Sequence, residues 1–167
     1  MPHLDAAYNL ARWLTGTDHD AADVVQEAYL RALKYFDSFK GGSSKAWLLS
    51  IVRHASYDWR GRNREVPMGD GASQSDERAP AFGPENEGTD PLSRLIREQE
   101  RDRVTRAISA LPKDSREVVV LREIEDLSYR EIADALEVPI GTVMSRLARA
   151  RETLRKTLGA QNKGRKP

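Results

Sequence analysis

The chain has 167 residues, 39% of them apolar and 32% charged, with a formal net charge of only +1. It holds no cysteine, which excludes disulfides and thiolate metal sites. Its longest apolar runs, "AWLL" and "VVVL", are too short to cross a bilayer, and "MPHLDAAYNLARWL" lacks the build of a signal peptide. A soluble, cytoplasmic protein without membrane insertion is expected.

The small net charge hides a division along the chain. Residues 1–64 carry nine Lys/Arg against seven Asp/Glu, residues 65–91 one against seven, and residues 92–167 seventeen against twelve. In the first stretch Leu4, Ala7, Ala11 and Leu14 recur at helical spacing until Gly16 breaks the pattern. Asp18 or Asp20 then caps a second helix to about Ser38, with Val25, Ala28, Tyr29, Ala32 and Phe36 as its apolar stripe. After Gly41-Gly42, Ser43 or Ser44 caps a third helix with Trp47, Leu48, Ile51, Val52 and Ala55 inward. Tyr57 and Trp59, two apart on that helix, cannot both point inward.

The segment 65–91 contains four Gly and four Pro without apolar periodicity, and reads as an acidic linker between two small domains. Asp90 followed by Pro91 opens the next helix, which runs to about Ala110. Pro112 begins another carrying "VVVL". Ser128 and Glu131 form a capping box ahead of Ile132, Ala133 and Leu136, and a tight turn at "EVP" leads into the last helix. Two short helices joined by a tight turn, the second one basic, make a helix-turn-helix. The fold expected is therefore all-α: a helical domain over 1–64, a linker over 65–91, a helix-turn-helix domain over 92–160 and a basic tail over 161–167.

On the last helix Val143, Leu147, Ala150, Leu154 and Leu158 form the buried stripe. Thr142, Ser145, Arg146 and Arg149 then share the opposite face. Small residues at the front of a helix let it enter a DNA major groove, and arginines there reach guanine edges or phosphates. Arg151 and Arg155 lie further along, suited to flanking phosphates. From Pro139 to Pro167 there are eight Lys/Arg and one acid, the strongest electrostatic footprint for nucleic acid in the chain.

Both halves resemble one family, the two-domain extracytoplasmic-function (ECF) sigma factors of bacterial RNA polymerase. The stretch "ALPKDSREVVVLREIEDLSYREIADALEVPIGTVMSRLARARETLRK" is similar to their region 4. "DAADVVQEAYLRALKYFDSFKGGSSKAWLLSIVRHASYDWRGRNR" is similar to their region 2. The resemblance implies a subunit that binds core polymerase and directs promoter-specific initiation. Region 4 would read the minus-35 duplex through Thr142, Ser145, Arg146, Arg149, Arg151 and Arg155. Region 2 would capture the unpaired minus-10 strand with Lys40, Ser43, Ser44, Arg53, His54, Tyr57 and Arg60. It would also dock on the clamp helices of the largest polymerase subunit through Asp23, Gln26, Glu27 and Arg31. The acidic linker would thread the polymerase's RNA channel, and an anti-sigma factor would hold the protein inactive.

This sequence departs from the pattern in places. His54 stands where the family often has Asn, Met144 and Ala148 replace bulkier or basic residues, and Glu137 occupies a turn position that often holds Gly. The family also has a further stretch of helix ahead of the position of His3.

His3, His19 and His54 are scattered, and "DHDAAD" lacks the Gly and the distal Glu of a calcium loop, so no metal, no cofactor and no catalysis are expected. Two other readings compete: a stand-alone helix-turn-helix regulator binding an operator as a dimer, and a helical adaptor that binds only protein.

Overall fold

A computed structural model describes residues 3–64 and 90–163. Among them are seven α-helices and no strand: α1 (Leu4–Thr15), α2 (Asp18–Lys34), α3 (Ser44–Arg64), α4 (Pro91–Ser109), α5 (Lys113–Val119), α6 (Tyr129–Leu136) and α7 (Ile140–Lys163). A 3-10 turn covers Phe36–Ser38, and a π-helical turn covers Val120–Ile124. The all-α class read from periodicity is the class the chain adopts. Most of the acidic segment (65–89) and the end of the basic tail (164–167) lie outside the described residues.

The first half is a three-helix unit whose turns are chemically specified. Helix α1 stops because Gly16 takes φ 93°, from which its N–H reaches the carbonyl of Arg12 at 3.0 Å. A Cβ at Gly16 would meet nothing, so the backbone angle and not crowding requires glycine there. Arg12 is buried and binds across the turn, its Nε donating to Asp18 Oδ1 at 2.9 Å and its Nη1 to the carbonyl of Gly16. The cap of α2 is Thr17, not Asp18 or Asp20. Thr17 has extended backbone, so its Oγ1 accepts from the Asp20 N–H at 3.2 Å while the hydroxyl donates to Asp20 Oδ2 at 2.6 Å. Ser43 caps α3 by accepting from the Ala46 N–H at 3.1 Å.

Small residues let the three helices approach closely. Ala7, Leu10, Ala11 and Leu14 of α1 meet Ala21, Val24, Val25 and Ala28 of α2 and Leu48, Leu49, Val52 and Ala55 of α3. Truncating a fully buried residue such as Leu49 to Ala is expected to cost about 2–5 kcal/mol. Phe36, expected inside, is 64% exposed, because α2 ends at Lys34 and the chain turns away before it. Trp47 is half-buried beneath Phe39, with ring centroids 5.2 Å apart. Trp59 packs on the core, while Tyr57 leaves it and points toward the second half.

In the second half Ser128 accepts from the Glu131 N–H at 3.1 Å, the amide-capping half of the predicted box. Helix α6 ends at Glu137, which takes φ 57° and ψ 43° where glycine is usual. The Val138 N–H bonds to the Ala133 carbonyl at 3.1 Å and the Glu137 N–H to Asp134 at 3.3 Å, which is the Schellman closure. Val118, Val119, Val120 and Leu121 are all buried in succession. Successive residues point about 100° apart around a helix, so burial of four in a row needs cover on more than one side. Helices α6 and α7 provide one side. From the first half, α1 meets the Val120–Ile124 turn and α3 meets α6, so a single apolar cluster runs through both.

Candidate nucleic-acid interface

Helix α7 buries Val143, Leu147 and Ala150 as predicted, and half-buries Leu154 and Leu158. Its solvent face is rotated by about one residue from the predicted one. Ser145 and Arg149 are exposed, but Thr142 and Arg146 are half-buried on the flank facing α5, where Arg146 Nη2 lies 3.9 Å from Asp114 Oδ2. The centre of the exposed face is instead Gly141, Met144, Ser145, Ala148 and Arg149. Met144 is 51% exposed, and its position one residue before Ser145 was the available signal for it. A Cβ on Gly141 would meet nothing, so the protein's own packing does not require the small front of this helix.

The arginines of α7 divide by pairing. Arg151 Nη2 is bound to Glu123 Oε1 at 2.7 Å, and this carboxylate raises the pKa of the guanidinium further. Arg155 pairs with Glu152, which also has Lys156 at 3.6 Å. Arg149 makes no ion pair among the described residues. It is the basic side chain on the centre of the exposed face.

The residues expected to handle an unpaired strand come from the 40–44 turn and α3. Lys40 and His54 are exposed, Ser43 is committed to its cap, and Ser44 Oγ lies 3.2 Å from His3 Nε2. Arg53 and Tyr57 turn toward the second half. Arg53 Nε donates to Glu117 Oε2 at 3.3 Å, and the Tyr57 ring lies between Arg53 at 4.8 Å and Lys113 at 3.6 Å. Arg60 is half-buried near Arg116, whose pKa is lowered by its own burial and by that neighbouring charge. Two turns before Arg53, Lys45 Nζ donates to the Glu125 carbonyl at 2.6 Å and sits 3.5 Å from Glu125 Oε2.

The two carboxylates that meet these cations are themselves buried. Burial pushes the pKa of Glu117 up, against the pull of Arg53 and Arg146. It does the same for Glu125 against Lys45 and Asn9, with Asp5 adding to the rise. Tyr57 Oη, Glu117 Oε1 and Glu125 Oε1 are buried without a hydrogen-bond partner. Orphans of this kind cost about 1–3 kcal/mol each.

On α2 the expected docking residues separate into two sets. Asp23 and Gln26 are exposed. Glu27 and Arg31 are half-buried in a network in which Arg31 reaches Glu27 at 2.5 Å and Asp58 at 2.8 Å, and Arg62 reaches Glu27 at 2.8 Å. Burial opposes the Glu27 carboxylate, but the bonds from Arg62 and Arg31 together outweigh it and hold its pKa below the ordinary value. The exposed side of α2 also carries Leu30 and Leu33, which are 62% and 74% exposed. They lie off the apolar stripe, and that misplacement in the periodicity was readable. His19, Asp20 and Asp23 bring one potential ligand atom each within 4.8 Å, but Asp20 is engaged by Thr17, and the trio is the polar first turn of α2. Among the described residues no helix is long and apolar enough to cross a membrane.

A helix-turn-helix with an exposed, small-fronted second helix, coupled to a three-helix unit, defines a DNA-binding protein of two helical modules. Residues 1–66 match the family described as Sigma-70 region 2, and residues 101–154 match Sigma-70, region 4. The "ECF RNA polymerase sigma-E factor" of Escherichia coli (strain K12) is 37% identical over 137 residues, covering 81% of this chain and 72% of that relative. The "ECF RNA polymerase sigma factor SigE" of Mycolicibacterium smegmatis is 35% identical over 153 residues, covering 92% and 57%. Among solved structures, the sigma factor RpoE in complex with the anti-sigma factor NepR from Bartonella quintana has a TM-score of 0.68 at 32% identity, over 92% of this chain and 90% of that one. CnrH, in complex with the cytosolic domain of CnrY, has a TM-score of 0.64 at 28% identity, over 95% and 83%.

The chain belongs to the ECF sigma factors. It works with core RNA polymerase and promoter DNA to direct promoter-specific transcription, as a binding subunit and not an enzyme. A stand-alone regulator is not favoured, because the region 2 match spans the whole first half.

Proposed function

We propose a division of labour between the two modules. Helix α7 reads the minus-35 duplex with Ser145 and Arg149 at its centre and Met144 in apolar contact, flanked by Thr142 and Arg146. Arg151 and Arg155 serve the backbone phosphates. The 40–44 turn and α3 hold the melted minus-10 strand through Lys40, Ser43, Ser44, Arg53, His54, Tyr57 and Arg60. Helix α2 docks on the clamp helices of the polymerase with Asp23, Gln26, Leu30 and Leu33, while Glu27 and Arg31 hold the helix in register through Asp58 and Arg62. Domain limits of 1–64 and 92–160 follow, with an acidic connection that runs through the RNA channel.

The observation that carries this reading is the exposed face of α7. Its small residues are not needed for packing, and its central arginine is left without an ion pair among the described residues. The relatives solved with NepR and with CnrY support a protein inhibitor of the same kind for this chain, acting in the cytoplasm.

Because the chain has no cysteine, single cysteines carry a DNA-cleaving iron chelate to defined places. In the holoenzyme, Ala148→Cys is expected to cut the upstream duplex element and His54→Cys the downstream one. Cleavage of the same element from both sites would refute the division.

A further inference from the structure

Helix α7 presents an apolar ridge that the protein itself does not use. Ile140, Met144 and Ala148 follow one another at four-residue spacing on its exposed side, and Ile140 and Met144 are 46% and 51% exposed. Neither belongs to the apolar cluster that Val143, Leu147 and Ala150 join from the inner side of the helix. Beside the ridge, Ser145 Oγ donates to the Thr142 carbonyl at 3.1 Å, so its proton is committed to the helix. Arg149, next to Ala148, makes no ion pair among the described residues. The centre of the face therefore combines one free cationic donor with a stretch that offers carbon alone.

In a major groove that chemistry selects one base. Guanine, adenine and cytosine present only hydrogen-bonding groups there, whereas thymine adds its C5 methyl. Met144 has no proton to donate, and its unbranched, polarizable thioether chain adapts to a small apolar group. Ile140 and Ala148, one turn to either side, shield such a contact from water.

We propose that Met144, flanked by Ile140 and Ala148, selects thymine in the upstream duplex element by packing on its C5 methyl group. The inference rests on the assignment of α7 as the helix that reads that duplex. It makes Arg149 the hydrogen-bonding reader and Met144 the apolar reader of the same element. The Met144 component of specificity survives high salt, because burying a methyl group releases no counterions.

The test removes the methyl group alone. Upstream elements are enriched from a random library with the holoenzyme, and each thymine of the enriched duplex is exchanged singly for deoxyuridine, which pairs identically. Fluorescence anisotropy with the holoenzyme is expected to show a loss of about three- to fivefold at one thymine, as the burial of one carbon predicts, with the salt slope unchanged. Met144→Ala is expected to bind the thymine and deoxyuridine duplexes equally. Equal binding of all the duplexes by the parent, or a methyl dependence that persists in Met144→Ala, overturns the inference. Arg149→Ala separates that failure from failure of the α7 assignment. If it still weakens binding, α7 reads the duplex and only the methyl contact is refuted, whereas loss of both effects removes this face from the groove.

A second variant exchanges one reader for another. Met144 is exposed, so Met144→Arg leaves the core intact and supplies a bidentate donor at the same place. Elements enriched anew with this variant are expected to carry guanine where the parent selects thymine, and an unaltered preference for thymine contradicts the proposal.

Discussion

Arg149→Ala tests the reading of α7 where the geometry is most discriminating. Arg151 is bound to Glu123, Arg155 to Glu152, and Arg146 leans on Asp114, so each must leave a partner to meet DNA. The Arg151–Glu123 pair is about half-exposed on both sides, with 51% and 49% side-chain exposure, and exchanging it for a phosphate changes little because exposed pairs are worth only about 0–1 kcal/mol. Arg149 gives up no ion pair seen among the described residues. A bidentate contact from it to a base edge is worth about 1–3 kcal/mol, which is roughly 5- to 150-fold in affinity. Fluorescence anisotropy with holoenzyme and an upstream-element duplex at fixed salt measures the loss, and single-base replacements in that duplex locate it. A base contact relaxes specificity at one position, whereas a phosphate contact weakens all sequences alike and lowers the log–log salt slope by about one. Unchanged affinity for Arg149→Ala, together with a large loss for Arg146→Ala, would show that the groove-facing side is the α5 flank.

Glu137→Gly should stabilise the protein by about 0.5–1 kcal/mol, because a left-handed non-glycine residue costs about 1–2 kcal/mol and glycine returns part of that as chain entropy. A thermal melt followed by circular dichroism should rise by about 1–4 °C, and an unchanged melt would mean the turn carries no strain. Leu33→Glu leaves the core intact, since Leu33 is 74% exposed, and should abolish co-elution with core polymerase while the melting temperature holds; retained co-elution removes that face from docking. The buried pair Glu117 and Glu125 predicts a pH dependence. Their folded pKa values lie above the ordinary 4.5, so their contribution to stability is fully present below 4.5 and is lost as pH rises through the folded values. Glu27, with a lowered pKa, acts in the opposite sense and only below that range. The melting-temperature advantage of a Glu117→Gln, Glu125→Gln variant over the parent should therefore widen between pH 5 and neutrality, and a constant difference would refute the assignment.

Most of the helical framework was legible because it depends on local rules. Gly16, the Ser128 cap and the Val143–Leu147–Ala150 stripe behave as spacing and capping chemistry demand. The misreadings arise where neighbours in space decide. Thr17 takes the cap from two nearby aspartates because only its backbone is extended at the right residue. The π-helical turn at Val120–Ile124 has no signature in periodicity, since one extra residue in a turn changes no residue type. The face of α7 was set about one residue off because α5, distant in sequence, packs beside it and half-covers Thr142 and Arg146. The packing of the two modules rests on partners 64 and 80 residues apart, which no local pattern encodes. What the sequence did carry was its trace, the unbroken "VVVL" run that no single helix face can bury.

The most direct test of the account is run-off transcription by core polymerase with and without this chain, on templates enriched from a random library by the mixture. The account predicts transcripts only when the chain is present, from templates sharing two short elements at a constant separation. Enrichment of one isolated duplex element, with no transcript above that of core polymerase alone, would contradict it.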